Sequence, residues 1–123
     1  MKFLFDNNLP PELARAFDVL SEKDGHWVIA LRDKFPEATE DEDWIPALIK
    51  ERTWAIVSRD RFTRRTRTGL PERMLLRHPS LVVFILDRGW RAFHRWDLVW
   101  RLARWRPTLS DTASNIQGGI GYR

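Results

Sequence analysis

Four short apolar runs in this chain each close on an aspartate. They are Phe3-Leu4-Phe5 before Asp6, Trp27 to Leu31 before Asp33, Trp54 to Val57 before Asp60, and Leu81 to Leu86 before Asp87. Segments of helical spacing separate them. Parallel neighbours in a sheet need crossover connections, so this alternation predicts βαβ units around a parallel sheet. The carboxyl ends of such strands share one edge, where open α/β sheets bind their ligands. Carboxylates gathered there repel one another unless a divalent cation lies between them.

The order of elements can be read in outline. Lys2 to Phe5 is expected as a central strand, and Asn7-Asn8-Leu9-Pro10-Pro11-Glu12 is a helix-start signal because proline fits the first turn. Leu13, Ala16, Phe17 and Leu20 follow at helical spacing, and Lys23-Asp24-Gly25 stops that helix. His26 to Leu31 is the second strand, followed by a loop over Lys34 to Thr39. The acidic stretch Thr39 to Asp43 leads into a second helix. Proline is tolerated only near a helix start, so Pro46 places the first turn near Asp43 to Pro46. Thr53 to Ser58 is the third strand, Asp60 to Gly69 a polar loop, Pro71 to Arg77 a short helix, and Leu81 to Leu86 the fourth strand. Asp87-Arg88-Gly89 is a turn. Trp90 to Arg106 is expected as a long helix ended by Pro107, with Ala92, Phe93, Trp96, Val99, Trp100 and Ala103 as its core stripe. Residues 1–109 then form one α/β domain with about four strands, and residues 110–123 a loosely held tail.

A chain of 123 residues can bury one core without staples. It has no cysteine, which excludes a disulfide frame and a thiolate metal site. The start of the chain is too short in apolar residues for a signal peptide, and no run approaches the ~18 of a membrane span. The expected compartment is the cytoplasm, with no membrane partner. The net charge of +4 is modest, but it is segregated. Seven arginines (Arg59, Arg61, Arg64, Arg65, Arg67, Arg73 and Arg77) face only Asp60 and Glu72 in their segment, while acids concentrate from Glu37 to Asp43. Two functional surfaces are implied rather than a uniform solvated coat.

Asp6, Asp41, Asp43 and Asp60 are the candidate metal ligands, with Asp33 and Asp87 behind them. Asp6 and Asp60 close strands, and Asp41 and Asp43 precede or open a helix that can pack on the same sheet. Hard cations such as Mg²⁺ take oxygen ligands of this kind. Such an ion can activate water and stabilise the charge that develops on a phosphodiester during in-line attack. Aspartates also serve as helix caps and turn formers, the competing explanation for each acid alone.

Phe3-Leu4-Phe5-Asp6-Asn7-Asn8-Leu9-Pro10 resembles the opening of PIN-like domains. So does Asp41-Glu42-Asp43-Trp44-Ile45 followed by Trp54-Ala55-Ile56-Val57-Ser58-Arg59-Asp60. The arrangement is most similar to the VapC-like toxins of toxin–antitoxin pairs and covers most of residues 1–90. The resemblance implies a three-layer α/β fold and an Mg²⁺-dependent endoribonuclease, with Mn²⁺ as an alternative ion. Asp6, Asp60 and Asp41 or Asp43 map onto metal ligands, Asp41 being favoured by the apolar residues downstream. Ser58 maps onto a small hydroxyl near the site. The family's fourth acid has no clear counterpart, and Asp87 is the only late strand-end candidate.

If RNA is the substrate, Arg59, Arg61, Arg64 and Arg65 lie beside Asp60 in sequence and can hold phosphates without reading bases. Seven tryptophans are more than this length requires. Trp27, Trp54, Trp96 and Trp100 are expected in the core. Trp105, with Leu98 and Leu102 among arginines, marks a face for a protein partner, either a cognate antitoxin or a second copy of the chain. His26, His78 and His94 show no ligand spacing. The alternative function is a catalytically inactive RNA- or protein-binding module of the same fold. A phosphoacceptor receiver domain fits less well, because no fifth strand is visible.

Overall fold

The computed structural model describes residues 1–86 and 95–115. Four strands form one all-parallel sheet in the order β2-β1-β3-β4, with β1 at Lys2–Phe5, β2 at Trp27–Ala30, β3 at Trp54–Ser58 and β4 at Leu81–Ile85. The register aligns the strand ends: Phe5 lies beside Ala30 on one side and Val57 on the other, and Ser58 lies beside Ile85. The fold is the predicted α/β arrangement. The strand order reverses direction at β1, and such a switch point opens a crevice at the carboxyl edge. Asp6 leaves β1 at that point.

Alternation along each strand divides the core into two layers. Phe3, Phe5, Ala55, Val57, Val82 and Phe84 face one side, where they meet Leu13, Ala14 and Phe17 of α1 (Pro11–Ser21) and Leu98 and Leu102 of α5 (Arg95–Asn115). Leu4, Trp54, Ile56, Leu81, Val83 and Ile85 face the other side, against Trp44, Ile45 and Leu48 of α3 (Asp41–Glu51). Among the described residues, two single-turn α-helices, α2 at Leu31–Lys34 and α4 at Glu72–Leu75, and a 3₁₀ turn at Glu22–Asp24 complete the fold. Strands covered on both faces read as continuous apolar runs, which is why β3 and β4 stand out in the sequence.

Several expectations need correction. The buried stripe of α1 is Leu13, Ala14, Phe17 and Ser21, and Leu20 is 68% exposed. The second strand is Trp27–Ala30, shorter than the expected His26 to Leu31, and Leu31 begins a helical turn that runs to Lys34, the first residue of the expected loop. Helix α3 starts at Asp41, two residues before the predicted turn, and carries Pro46 in its interior. The apolar anchors Trp44, Ile45 and Leu48 hold it to the sheet despite the bond that proline removes. Pro107 likewise lies inside α5 rather than at its end.

The tryptophans are also redistributed. Leu98 and Leu102 are the core residues of α5, whereas Trp96, Trp100 and Trp105 are exposed, as is Trp27 on the edge strand. Leucine fills the space over α1 at helical spacing, and the bulkier rings are turned outward. Arg101 and Arg104 lie over the Trp100 ring at 5.7 and 5.3 Å. The expected turn at Asp87 and the predicted helix start from Trp90 to His94 lie outside the described residues, as does the tail beyond Asn115. Among the described residues, no helix is long and apolar enough to cross a membrane.

The arginine-rich segment after β3 is ordered by one aromatic. Phe62 is fully buried beneath it and adopts φ 54°, an unusual backbone for a bulky side chain. Burial of the ring offsets that strain. Further along, Thr66 N–H donates to the Leu70 carbonyl at 2.8 Å, and Arg65 bridges Pro71, so residues 65–71 fold back as a tight turn. The chain is thereby returned toward the carboxyl edge of the sheet, where Glu72 opens α4.

Candidate functional site

Ser58, the last residue of β3, joins the ends of the two central strands. Its Oγ donates to Asp6 Oδ2 at 2.7 Å and accepts from Asn8 Nδ2 at 3.0 Å and from the Asp60 N–H at 2.9 Å. Asn8 closes the network, its Oδ1 accepting the Arg59 N–H at 2.9 Å. Asp6 also accepts the Asn7 N–H at 2.7 Å. The Asn7-Asn8 pair after β1 and the hydroxyl at the end of β3 thus aim two carboxylates into one crevice. Replacing Ser58 with Ala leaves Asp6 Oδ2 with only the long 3.5 Å contact from Asn8 Nδ2, and the Asp60 N–H without its acceptor. The expected loss is about 1–3 kcal/mol of unfolding free energy, measured by urea denaturation. A loss near zero would show that the network is dispensable.

Asp6, Asp41, Asp60 and Glu72 line the same cleft of about 720 Å³. Asp41 is the first residue of α3, and its Oδ1 accepts the Trp44 indole N–H at 2.9 Å. Asp60 caps the Phe62 N–H through Oδ1 at 2.9 Å, leaving Oδ2 to face the cleft region beside Arg64. Glu72 is only 5% exposed, and its backbone N–H is held by the Arg64 carbonyl at 2.9 Å. Asp43, by contrast, does not line this cleft and pairs with Arg67 at 3.0 Å. Asp33 pairs with Arg15 at 2.8 Å, apart from the cleft. Asp87 lies outside the described residues.

Electrostatics mark the group as strained in charge. Burial pushes the Asp6 carboxyl up, only partly opposed by its bonds from Ser58 and Asn7, and the charges of Asp41 and Asp60 push it the same way. Glu72 is pushed up to about 8, first by burial and then by the neighbouring Asp41 carboxylate. A compensating cation is present within the chain. Arg64 Nη2 lies 3.2 Å from Asp60 Oδ2 and 3.8 Å from Asp41 Oδ2, and its Nε lies 3.4 Å from Glu72 Oε1.

The donor set suits a hard divalent cation in kind: all oxygen, mostly carboxylate, and crowded. Asp41 Oδ2 and Glu72 Oε1 are buried and accept no N–H or hydroxyl bond; the two carboxyls instead interact with each other, a contact that helps to raise Glu72. In the arrangement described, with Arg64 among the acids, no three acidic or histidine side chains among the described residues form a group that would hold a metal ion.

The arginines expected to hold phosphates divide by position. Arg64 and Arg65 line the cleft, and Arg59 lies at its edge with Asn8 and Asp60. Arg61 is exposed outside it, and its carbonyl accepts from Arg73 Nε at 2.8 Å. Arg65 Nη1 donates to the Gly69 carbonyl at 2.6 Å. Arg67, not among the residues expected at the site, also lines the cleft and ties the turn to α3 through Glu42 at 2.8 Å and Asp43 at 3.0 Å.

Two residues of the site are not evident from sequence. Glu72 closes no strand, and strand ends are what bring the other acids to notice. Its one signal is its position directly after a proline, as the only acid besides Asp60 among the seven arginines of residues 59–77. Asn8 belongs to the resembling motif, but nothing in the sequence assigns it a role.

Residues 1–88 match a family model described as a PIN like domain. No curated protein and no solved structure matches the chain.

Proposed function

The chain belongs to the PIN-like domain family, and from that premise we propose that it is a metal-dependent endoribonuclease, the toxin of a toxin–antitoxin pair. The observation that supports this reading best is the gathering of Asp6, Asp41, Asp60 and Glu72 at one cleft on the carboxyl edge of the sheet. These four would hold the ion, Mg²⁺ or Mn²⁺. Asp43 drops back to an outer position, where it orders Arg67. The ion would supply a nucleophilic water at neutral pH and stabilise charge on the phosphodiester. The chain's own part is placement. Ser58 and Asn8 fix the Asp6 carboxylate, and Trp44 orients Asp41. Arg59 and Arg65 flank the acids, where the phosphates on either side of the scissile one would lie. The toxin assignment, with a cognate antitoxin as restraining partner, rests on the VapC-like character of the opening and middle motifs.

One observation favours a second reading, a PIN-like module that binds RNA or protein without cutting it: the carboxylates are already neutralised in part by Arg64. A single experiment separates the two. A labelled RNA pool incubated with the protein should be cleaved in Mg²⁺, with cleavage stopped by a chelator and restored by excess Mg²⁺ or Mn²⁺. Binding that weakens steeply with salt but brings no cleavage in either ion would establish the module instead.

A further inference from the structure

We propose that Arg64 is a built-in occupant of the metal position. Its guanidinium holds Asp41, Asp60 and Glu72 together in the ion-free protein, competes with a divalent cation for them, and swings aside within the cleft when the cation binds. The inference rests on the carboxylate site of the proposed nuclease.

Three features carry it. First, one guanidinium spans three carboxylates, at 3.2, 3.8 and 3.4 Å from Asp60, Asp41 and Glu72. Second, the fit is incomplete. Only the Asp60 contact is a hydrogen bond, and the buried Asp41 and Glu72 oxygens facing Arg64 accept none from it. A single charge at these distances neutralises the acids less fully than a dication in contact with them. Third, the side chain is free to leave while its backbone is held. The Arg64 carbonyl is tied to Glu72 N–H at 2.9 Å, but the Arg64 side chain is 75% exposed. After release it would lie beside Arg65, where RNA phosphates are expected, so one side chain would serve the empty and the loaded site in turn.

Arg67 provides the internal control. It is equally cationic and similarly exposed, but its partners are Glu40, Glu42 and Asp43, none of them in the group of four.

Mn²⁺ binding to the full chain, measured by isothermal titration calorimetry, tests the inference without reference to cleavage. Arg64→Gln should bind Mn²⁺ on the order of tenfold more tightly than the parent chain, a change matching the loss of two or three partly exposed ion pairs. Arg67→Gln should bind within about twofold of the parent. Should the Gln variant fail to fold, Arg64→Lys keeps a cation but loses the fork that reaches several carboxylates, and should also bind more tightly than the parent. A parent that binds Mn²⁺ and Arg64 variants that bind it no better would overturn the inference and leave the nuclease reading standing. Absence of Mn²⁺ binding by the parent and all variants would remove both. Binding by the Arg64 variants alone would support the inference in its strongest form.

Discussion

Asp6→Asn should reduce magnesium-dependent RNA cleavage at least ~100-fold, beyond the effect expected of a residue that only supports a ligand. The same variant should melt at the parent temperature or above it at pH 7. Both expectations come from one environment. Asp6 is buried at the switch point of the sheet, where its charge is costly, and burial already raises its affinity for a proton. Asparagine removes that charge and retains an oxygen for the Asn7 N–H; the acceptor of the Ser58 hydroxyl is lost, and relief of the buried charge offsets that one bond. The fold therefore loses little, while the site loses a charged ligand. Thermal melts and cleavage assays on the same preparation check the pair of outcomes. Full activity in this variant would remove Asp6 from the mechanism.

Glu72→Gln should weaken Mn²⁺ binding at least ~10-fold and, without metal, make the protein more stable at pH 8. The sign follows from linkage. The folded-state value is raised to about 8 from an ordinary 4.5, so the folded chain holds a proton that the unfolded chain has lost between those limits. Stability contributed by this group is therefore full below about pH 4.5 and declines as pH rises toward 8. Where only the folded chain holds the proton, the decline is at most about 1.4 kcal/mol per pH unit, and coupling to Asp41 and Arg64 reduces it. Glutamine carries no such charge, so the decline from this position should vanish. Divalent cation should reverse the slope in the parent, because it favours the ionised carboxyl. Urea unfolding at several pH values, with and without Mn²⁺, would show the effect. An unchanged pH profile in Glu72→Gln would mean that this carboxyl is not held protonated.

The sheet is legible in the sequence because its strands are covered on both faces. Phe3-Leu4-Phe5, Trp54 to Val57 and Leu81 to Leu86 must be apolar without interruption, and turn residues bound them. Helix details are less legible, since spacing identifies a stripe but not which stripe faces the core. In α5 both faces carry apolar residues, and tertiary packing chooses Leu98 and Leu102 over Trp96 and Trp100. Pro46 misleads for a similar reason. Propensity forbids proline inside a helix, but the buried Trp44 and Ile45 hold that turn in place. Within the site, Asp6, Asp41 and Asp60 can be found because strand ends and a helix start place them at one edge. Glu72 cannot, because its position depends on a turn whose geometry is set by the buried Phe62 and the Arg65–Pro71 bridge. Nor can a run of arginines reveal that Arg64 turns inward to acids while Arg61 does not.

On the proposed reading, Asp6, Asp41, Asp60 and Glu72 together hold one or two divalent cations. The direct measurement is a crystal grown in Mn²⁺, with anomalous scattering used to locate the ion. A peak about 2.0–2.6 Å from carboxylate oxygens of this group, with the Arg64 guanidinium displaced from among them, is the predicted result. A fully occupied guanidinium among the acids and no anomalous peak there at saturating Mn²⁺ would contradict it.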